Sequence, residues 1–454
     1  MTVDLTTTRR VHLVGVGGAG MSGIARILLQ RGHTVSGTDL HEGRALDELR
    51  AMGARVQVGH DAAALGDAEV VVTSTAVPAT NPEVAAARER GLDVVRRAEM
   101  LASLMVGDRA VLVAGTHGKT TTTSMTVVAL QAAGLDPSFA IGGQLNEAGT
   151  NAHAGADDVF VAEADESDRS FLAYVPDVAV VTNLELDHPD EFADLDDVTE
   201  TFRAFLARRA AGAPAVVCLD DEGAAALARD LDDVLTYGED PRADVHLVVA
   251  GPASGRVRAG DVTVPLELAV PGQHNLRNAT AALAVVAHLG RDVEAAAAGL
   301  RGFTGAQRRY QRLGTVAGVA VVDDYAHHPT ELRATLAAAR TEQPSRIVLV
   351  VQPHRYWRTE SLGAELGRAA AAADQVVVTD VYGAGEPPKP GVTGRLVADA
   401  ASAAGASVHY EPHLGAVASH LADVVQPGDL VLVTGAGDVT QVGPALLELL
   451  RERA

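Results

Sequence analysis

Short apolar runs alternate with longer stretches of helical periodicity along most of this chain. Residues 11–16, 34–37 and 70–74 are such runs, and they are expected as short buried strands. Helical segments lie between them, so the pattern predicts βαβ units on a parallel sheet. A second series opens at 110–114 and continues through 159–162, 178–182 and 216–219. Inside it, 245–270 differs: short alternating stretches broken by Gly and Pro predict antiparallel strands. A third series places strands at 319–323, 347–351, 375–379 and 430–434. The expectation is an α/β chain of three domains, spanning 1–107, 108–311 and 312–454.

Composition narrows the class. A chain of 454 residues with 47% hydrophobic and 21% charged residues can bury several cores. Aromatics are only 3%, so Ala, Val and Leu must build those cores. A net charge of −22 argues against general nucleic-acid binding, which needs a basic surface. The one cysteine, Cys218, leaves no internal disulfide and no cysteine-based metal cluster. The first ten residues are polar, and no run of about 18 apolar residues occurs. The expected location is therefore the cytoplasm, without membrane insertion.

The most informative stretch is Gly115-Thr116-His117-Gly118-Lys119-Thr120-Thr121, between the apolar run 110–114 and a helical pattern at 123–133. Strand, Gly-rich turn, Lys, hydroxyl and helix form a phosphate cradle. Lys119 supplies a point charge for β/γ-phosphates, and the Thr120 hydroxyl can reach Mg²⁺. Only two of the 37 basic residues are lysines, Lys119 and Lys389, so a chain that prefers Arg kept an ammonium here. The motif is shorter than the usual P-loop, because Val113 stands where its first Gly belongs.

A second glycine turn, Gly15-Val16-Gly17-Gly18-Ala19-Gly20, follows the first strand, and Asp39 ends the next. Alone this reads as NAD binding, with Asp39 on a ribose, yet the same backbone amides serve any nucleotide diphosphate. Downstream of the P-loop, Glu163-Ala164-Asp165-Glu166-Ser167-Asp168 and Thr182-Asn183-Leu184-Glu185-Leu186-Asp187-His188 each follow a strand. Carboxylates and an imidazole at strand ends can hold Mg²⁺ against phosphates, or merely cap helices. Of these, Glu163 and His188 are the favoured ligands. Asn275 and Asn278 open a long Ala-rich helix, where they can read a base or cap the helix. Arg309 sits at a domain boundary. Asp323-Asp324-Tyr325-Ala326-His327-His328-Pro329 and Gln352-Pro353-His354-Arg355-Tyr356-Trp357-Arg358 follow strands of the third series. Two arginines three apart suit a carboxylate.

Taken together and in this order, these motifs resemble the Mur ligase family over essentially the whole chain. The turn continuing as Met21-Ser22-Gly23-Ile24-Ala25 is similar to that of the alanine-adding member. The resemblance implies a Rossmann-like first domain for a UDP-sugar, which replaces the NAD reading. It further implies a central P-loop ATPase domain and a Rossmann-like third domain for an amino acid. By position it implies ATP contacts at Gly115, Thr116, His117, Gly118, Lys119, Thr120, Thr121, Asn275, Asn278 and Arg309. It implies UDP-sugar contacts at Gly15, Gly17, Gly18, Ala19, Gly20, Met21, Asp39 and Ser74. Metal ligation by Mg²⁺ (or Mn²⁺) falls to Thr120, Glu163 and His188. Substrate and L-alanine contacts fall to Tyr325, His327, His354, Arg355 and Arg358. Lys119, His188, Glu163 and Arg309 are the implied catalytic set. The implied activity is ATP-dependent ligation of L-alanine to UDP-N-acetylmuramate in peptidoglycan synthesis, by a monomer or weak homodimer. A nicotinamide dehydrogenase would leave Lys119 unexplained, and a non-catalytic nucleotide-binding regulator would leave the strand-end acids unexplained. Relatives that add later residues use a carbamylated lysine; the stretch 196–210 has Arg203, Arg208 and Arg209 but no Lys, so a site without carbamate is expected.

Overall fold

In the computed structural model, which describes residues 2–188 and 191–453, the strands collect into sheets of five, ten and six. The first sheet has the order Arg55–Val58, Thr34–Asp39, Arg10–Val14, Val70–Thr73, Asp93–Arg96, all parallel. The chain reverses direction across the sheet between Arg10–Val14 and Val70–Thr73, where an open α/β sheet leaves its ligand crevice.

The middle sheet centres on the parallel strands Ala215–Cys218, Val178–Val181, Arg109–Ala114 and Val159–Glu163. One edge is the antiparallel series Val245–Gly251, Ser254–Ala259, Val262–Glu267, as the alternation at 245–270 predicts. At the other edge Ser138–Leu145 pairs antiparallel with Thr150–His153. That hairpin was not expected, because Gly142 and Gly143 interrupt its alternation. The third sheet runs Gln311–Val316, Val319–Asp324, Asp429–Thr434, Arg346–Val351, Gln375–Val378, Val408–Tyr410, parallel except for its first strand.

Helices start where short polar side chains take their free amides. Asn81, Asp194, Asp221 and Asp292 cap the helices beginning at Pro82, Leu195, Glu222 and Val293. All 7 phenylalanines are fully buried, none of them beyond Phe303. The third domain is packed by aliphatic residues on both faces of its sheet. The first and middle domains, by contrast, share one apolar cluster running from Val3 to Phe303. The helix Ala19–Gln30 seals that junction by lying on the 138–153 hairpin. Asn151 donates to Ala19 O (2.7 Å) and the Ala154 N–H donates to Gln30 Oε1 (2.8 Å). No helix among the described residues is long and apolar enough to cross a membrane.

Candidate active site

The strand Arg109–Ala114 enters the helix Lys119–Ala132 through Gly115-Thr116-His117-Gly118. Only glycine suits position 115: φ is 137°, and a Cβ there would lie 1.9 Å from Thr182 Oγ1. Gly118 caps the helix without a side-chain bond, which leaves the first amides to an anion. Lys119 folds back over the turn. Its ammonium donates to Gly115 O (2.7 Å), Thr116 O (3.2 Å) and both oxygens of Glu166 (2.9 and 2.7 Å). Burial opposes that charge, but Glu166, Asp165 and Glu163 outweigh it and hold the lysine above its ordinary pKa. Burial pushes the Glu166 carboxyl up to about 7, against the pull of Lys119.

Beside the lysine, Thr120 Oγ1 donates to Glu163 (3.0 and 3.1 Å to its two oxygens), and the Gly142 N–H donates to the same carboxylate (2.9 Å). Asp165 and His188 line the same clefts as Glu163. Burial opposes ionisation of Asp165, yet Lys119 keeps its pKa low. Burial lowers the pKa of His188, so its imidazole is neutral and can donate a lone pair. A hydroxyl, two carboxylates and an imidazole make a mainly hard-oxygen donor set, which fits Mg²⁺ or Mn²⁺. His117, Glu185 and His328 also bring ligand atoms within 4.8 Å of one another. His328 Nδ1, however, already accepts the Thr330 N–H (3.3 Å) as a helix cap, so this cluster is an ionic joint and not a metal centre.

A pocket of about 290 Å³ opens on the far side of the turn, lined by His117, Gly118, Thr121, Asn275, Asn278 and Arg309 among others. Asn275 donates to Pro271 O (2.7 Å), and Asn278 Oδ1 would lie 3.0 Å from a Cβ at Gly118. Arg309 reaches Thr120 Oγ1 (3.5 Å) and stacks on Tyr325 (4.8 Å).

The third domain meets this site through its strand ends. The rings of His327 and His354 face each other edge to face at 5.6 Å. Burial, with Arg358 close by, drives their pKa values down to about 4 and about 3, so both imidazoles are neutral. Arg355 lines both clefts from a left-handed backbone, φ 65°. His188, Arg308 and Tyr310 are likewise left-handed, at 54°, 59° and 49°, so uncommon backbone conformations gather at this site. Arg358, expected at the L-alanine carboxylate, also ties two domains together. It is 3% exposed and commits Nε and Nη2 to Asp187 of the middle domain (3.0 and 2.9 Å), with Nη1 on His354 (3.1 Å).

In the first domain, Gly15 and Val16 donate to Thr38 O (2.8 and 2.9 Å). Asp39, expected on a ribose, accepts the Gly17 N–H (2.8 Å) and so also braces the turn. A cleft of about 1480 Å³ begins at Gly15, Gly17, Gly18, Ala19, Gly20, Met21, Asp39 and Ser74 and reaches Glu163, Asp165 and His188. Arg97 borders it and approaches Ser170 of the middle domain (3.5 Å).

Sequence reasoning assigned no role to Glu166, Glu185, Asp187, Glu331 or Arg97. The first three stand inside motifs already singled out, and Glu331 lies two residues past another, so position in or beside the motif was the available signal. Nothing marked Arg97, since arginine is abundant throughout this chain.

A diphosphate turn facing a P-loop across one cleft, closed by a third α/β domain bearing His and Arg, is the architecture of the Mur ligases, and the chain belongs to that family. Family models match in order: "Mur ligase family, catalytic domain" over 10–109, "Mur ligase middle domain" over 113–286, and "Mur ligase, glutamate ligase domain" over 308–437. The chain is 54% identical to the UDP-N-acetylmuramate--L-alanine ligase of Acidothermus cellulolyticus, over 98% of this chain and 95% of the relative. It is 49% identical to that of Mycolicibacterium smegmatis, with 98% and 95% covered. Among solved structures, UDP-N-acetylmuramate-alanine ligase from Thermotoga maritima superimposes with a TM-score of 0.82 at 27% identity, covering 98% of this chain and 100% of that one.

Proposed function

We propose that this chain joins L-alanine to the lactyl carboxylate of UDP-N-acetylmuramate with hydrolysis of ATP to ADP and phosphate, a cytoplasmic step of peptidoglycan synthesis. The observation that carries this reading is the single cleft linking the first-domain glycine turn to the acids beside the P-loop. A sugar nucleotide held by its diphosphate at one end can place its carboxylate at the other. The domain limits we assign are 1–107, 108–311 and 312–454, and we assign a monomer or weak homodimer.

A carboxylate is a poor acceptor for an amine, because its leaving group would be oxide or hydroxide. Transfer of the ATP γ-phosphoryl to a carboxylate oxygen breaks the bond to ADP and forms an acyl phosphate. The amides of 115–121 hold the nucleotide phosphates, while Lys119 and Arg309 neutralise charge spreading over the transferring group. Thr120, Glu163 and His188, to which we add Asp165 because it lines the same clefts, would hold Mg²⁺ or Mn²⁺, which when bound offsets phosphate charge. The amine of L-alanine then attacks the acyl carbon, and phosphate departs from a tetrahedral intermediate. His327, whose Nδ1 donates to Tyr325 O (3.1 Å), keeps Nε2 able to accept a hydrogen bond from that amine, whereas His354 Nδ1 already accepts from Arg358. We assign its carboxylate to Arg355 and Arg358, which line the same cleft, with Arg358 also bonding His354. The test is ADP release with UDP-N-acetylmuramate against a panel of amino acids. Release should need the sugar nucleotide and L-alanine together; Gly should be weaker, since one methyl group is worth about 1–3 kcal/mol. Equal release with D-glutamate would overturn the assignment.

A further inference from the structure

We propose that Glu166 is the counter-ion that Lys119 exchanges for nucleotide phosphate, a positioning residue that sets how tightly ATP is taken and how readily ADP leaves. The proposal rests on the ATP reading above. Glu166 is 2% exposed, and among the described residues its ion pair is with Lys119. The ammonium has three hydrogens and already has four oxygens within 3.2 Å. A phosphate oxygen therefore cannot simply be added; something must give way. Gly115 O and Thr116 O belong to a turn whose conformation is fixed by close packing on Thr182. The Glu166 side chain is the partner free to withdraw. Once it does, a buried carboxylate is left beside Asp165, without the cation that had balanced it. That penalty opposes nucleotide binding. It is recovered as ADP departs and Glu166 takes Lys119 back, which favours release of ADP.

Glu166→Gln preserves shape and removes the competing charge. Calorimetric titration of the full chain with ADP and with adenosine tests the exchange, without sugar nucleotide or amino acid. The expected result is ADP bound about tenfold more tightly, with adenosine, which lacks phosphate, unchanged. In turnover, KM for ATP and kcat should fall together, because ADP lingers. Glu166→Asp keeps the charge but shortens its reach, so its ADP affinity should lie between wild type and Gln. It also carries the test if the Gln variant fails to fold. Unchanged or weaker ADP binding by these variants overturns the exchange, as does a parallel shift in adenosine. A wild-type chain that binds no adenine nucleotide overturns the ATP reading itself, and this proposal with it.

Discussion

The two junctions of this molecule are built from opposite materials. Between the first and middle domains, one apolar cluster runs through without interruption, and helix Ala19–Gln30 lies flat on the 138–153 hairpin. Between the middle and third domains, the contacts are largely polar. His117 of the P-loop lies 3.4 Å from Glu331, Thr330 donates to Glu185 of the middle domain (2.8 Å), and Arg358 grips Asp187. Separating an apolar junction exposes hydrocarbon to water, which is always unfavourable. Separating charged partners lets water solvate each one, so the net cost is smaller. The first two domains thus form a single frame, and the third is the part able to open. The P-loop lies along the ionic junction, so phosphate occupancy and third-domain placement share side chains.

Substitutions can break this contrast, beginning with the largest effect. Lys119→Ala should lower turnover by about 10²–10³-fold or more, as expected on losing a transition-state charge contact. It should also destabilise the chain by leaving Glu166 unpaired. Adding Glu166→Gln should restore the melting temperature and not the turnover; a folded single variant with near-normal kcat removes Lys119 from the chemistry. Next, Arg358→Ala strands Asp187, whose pKa Arg358 holds well below the carboxylate range despite burial. Losing one partner of a buried pair costs about 3–5 kcal/mol. Calorimetry should then show the third domain melting separately, and KM for L-alanine should rise; one unshifted transition would contradict the contrast.

The apolar junction should respond differently. A Cβ at Gly23 would lie 3.2 Å from Ala152 Cβ, so Gly23→Leu overpacks the contact, at about 1–3 kcal/mol. The first and middle domains should still melt together; two resolved transitions for them would break the single-frame view. The smallest effect is pH-dependent. Burial opposes the His117 charge, but Glu185 and Glu331 raise its pKa from 6.5 to about 9. A raised folded-state pKa stabilises fully below about pH 6.5, and that contribution is lost as pH climbs through 9. The advantage of wild type over His117→Gln in third-domain melting should therefore shrink across that window, and an advantage that grows there would refute the joint.

The strands that surface in the sequence are those buried on both faces, such as 110–114 and 347–351, where an unbroken apolar run is the physical requirement. Ser138–Leu145 escaped because Gly142 leaves space for the Glu163 carboxylate, at the expense of alternation. The helix after the P-loop begins at Lys119, four residues before its periodicity shows. Thr120 to Thr123 are weak helix formers, but they are buried here, and Thr123 returns its hydroxyl to Lys119 O (2.8 Å). Site residues at strand ends were legible because parallel sheets present ligands there. The partners of those residues were not, since Asp187 and Arg358, or His117 and Glu331, meet only through the tertiary fold.

The scarcity of lysine gives this protein an unusual handle for labelling. Apart from a chain-terminal amine, amine-directed reagents meet only two side chains. Lys119 is 12% exposed and ion-paired inside the cradle, whereas Lys389 is 47% exposed on the third domain. Of the two side chains, a fluorophore activated as an ester should therefore favour Lys389 while nucleotide occupies the cradle. Placed there without any mutation, it becomes an optical gauge of how the third domain moves.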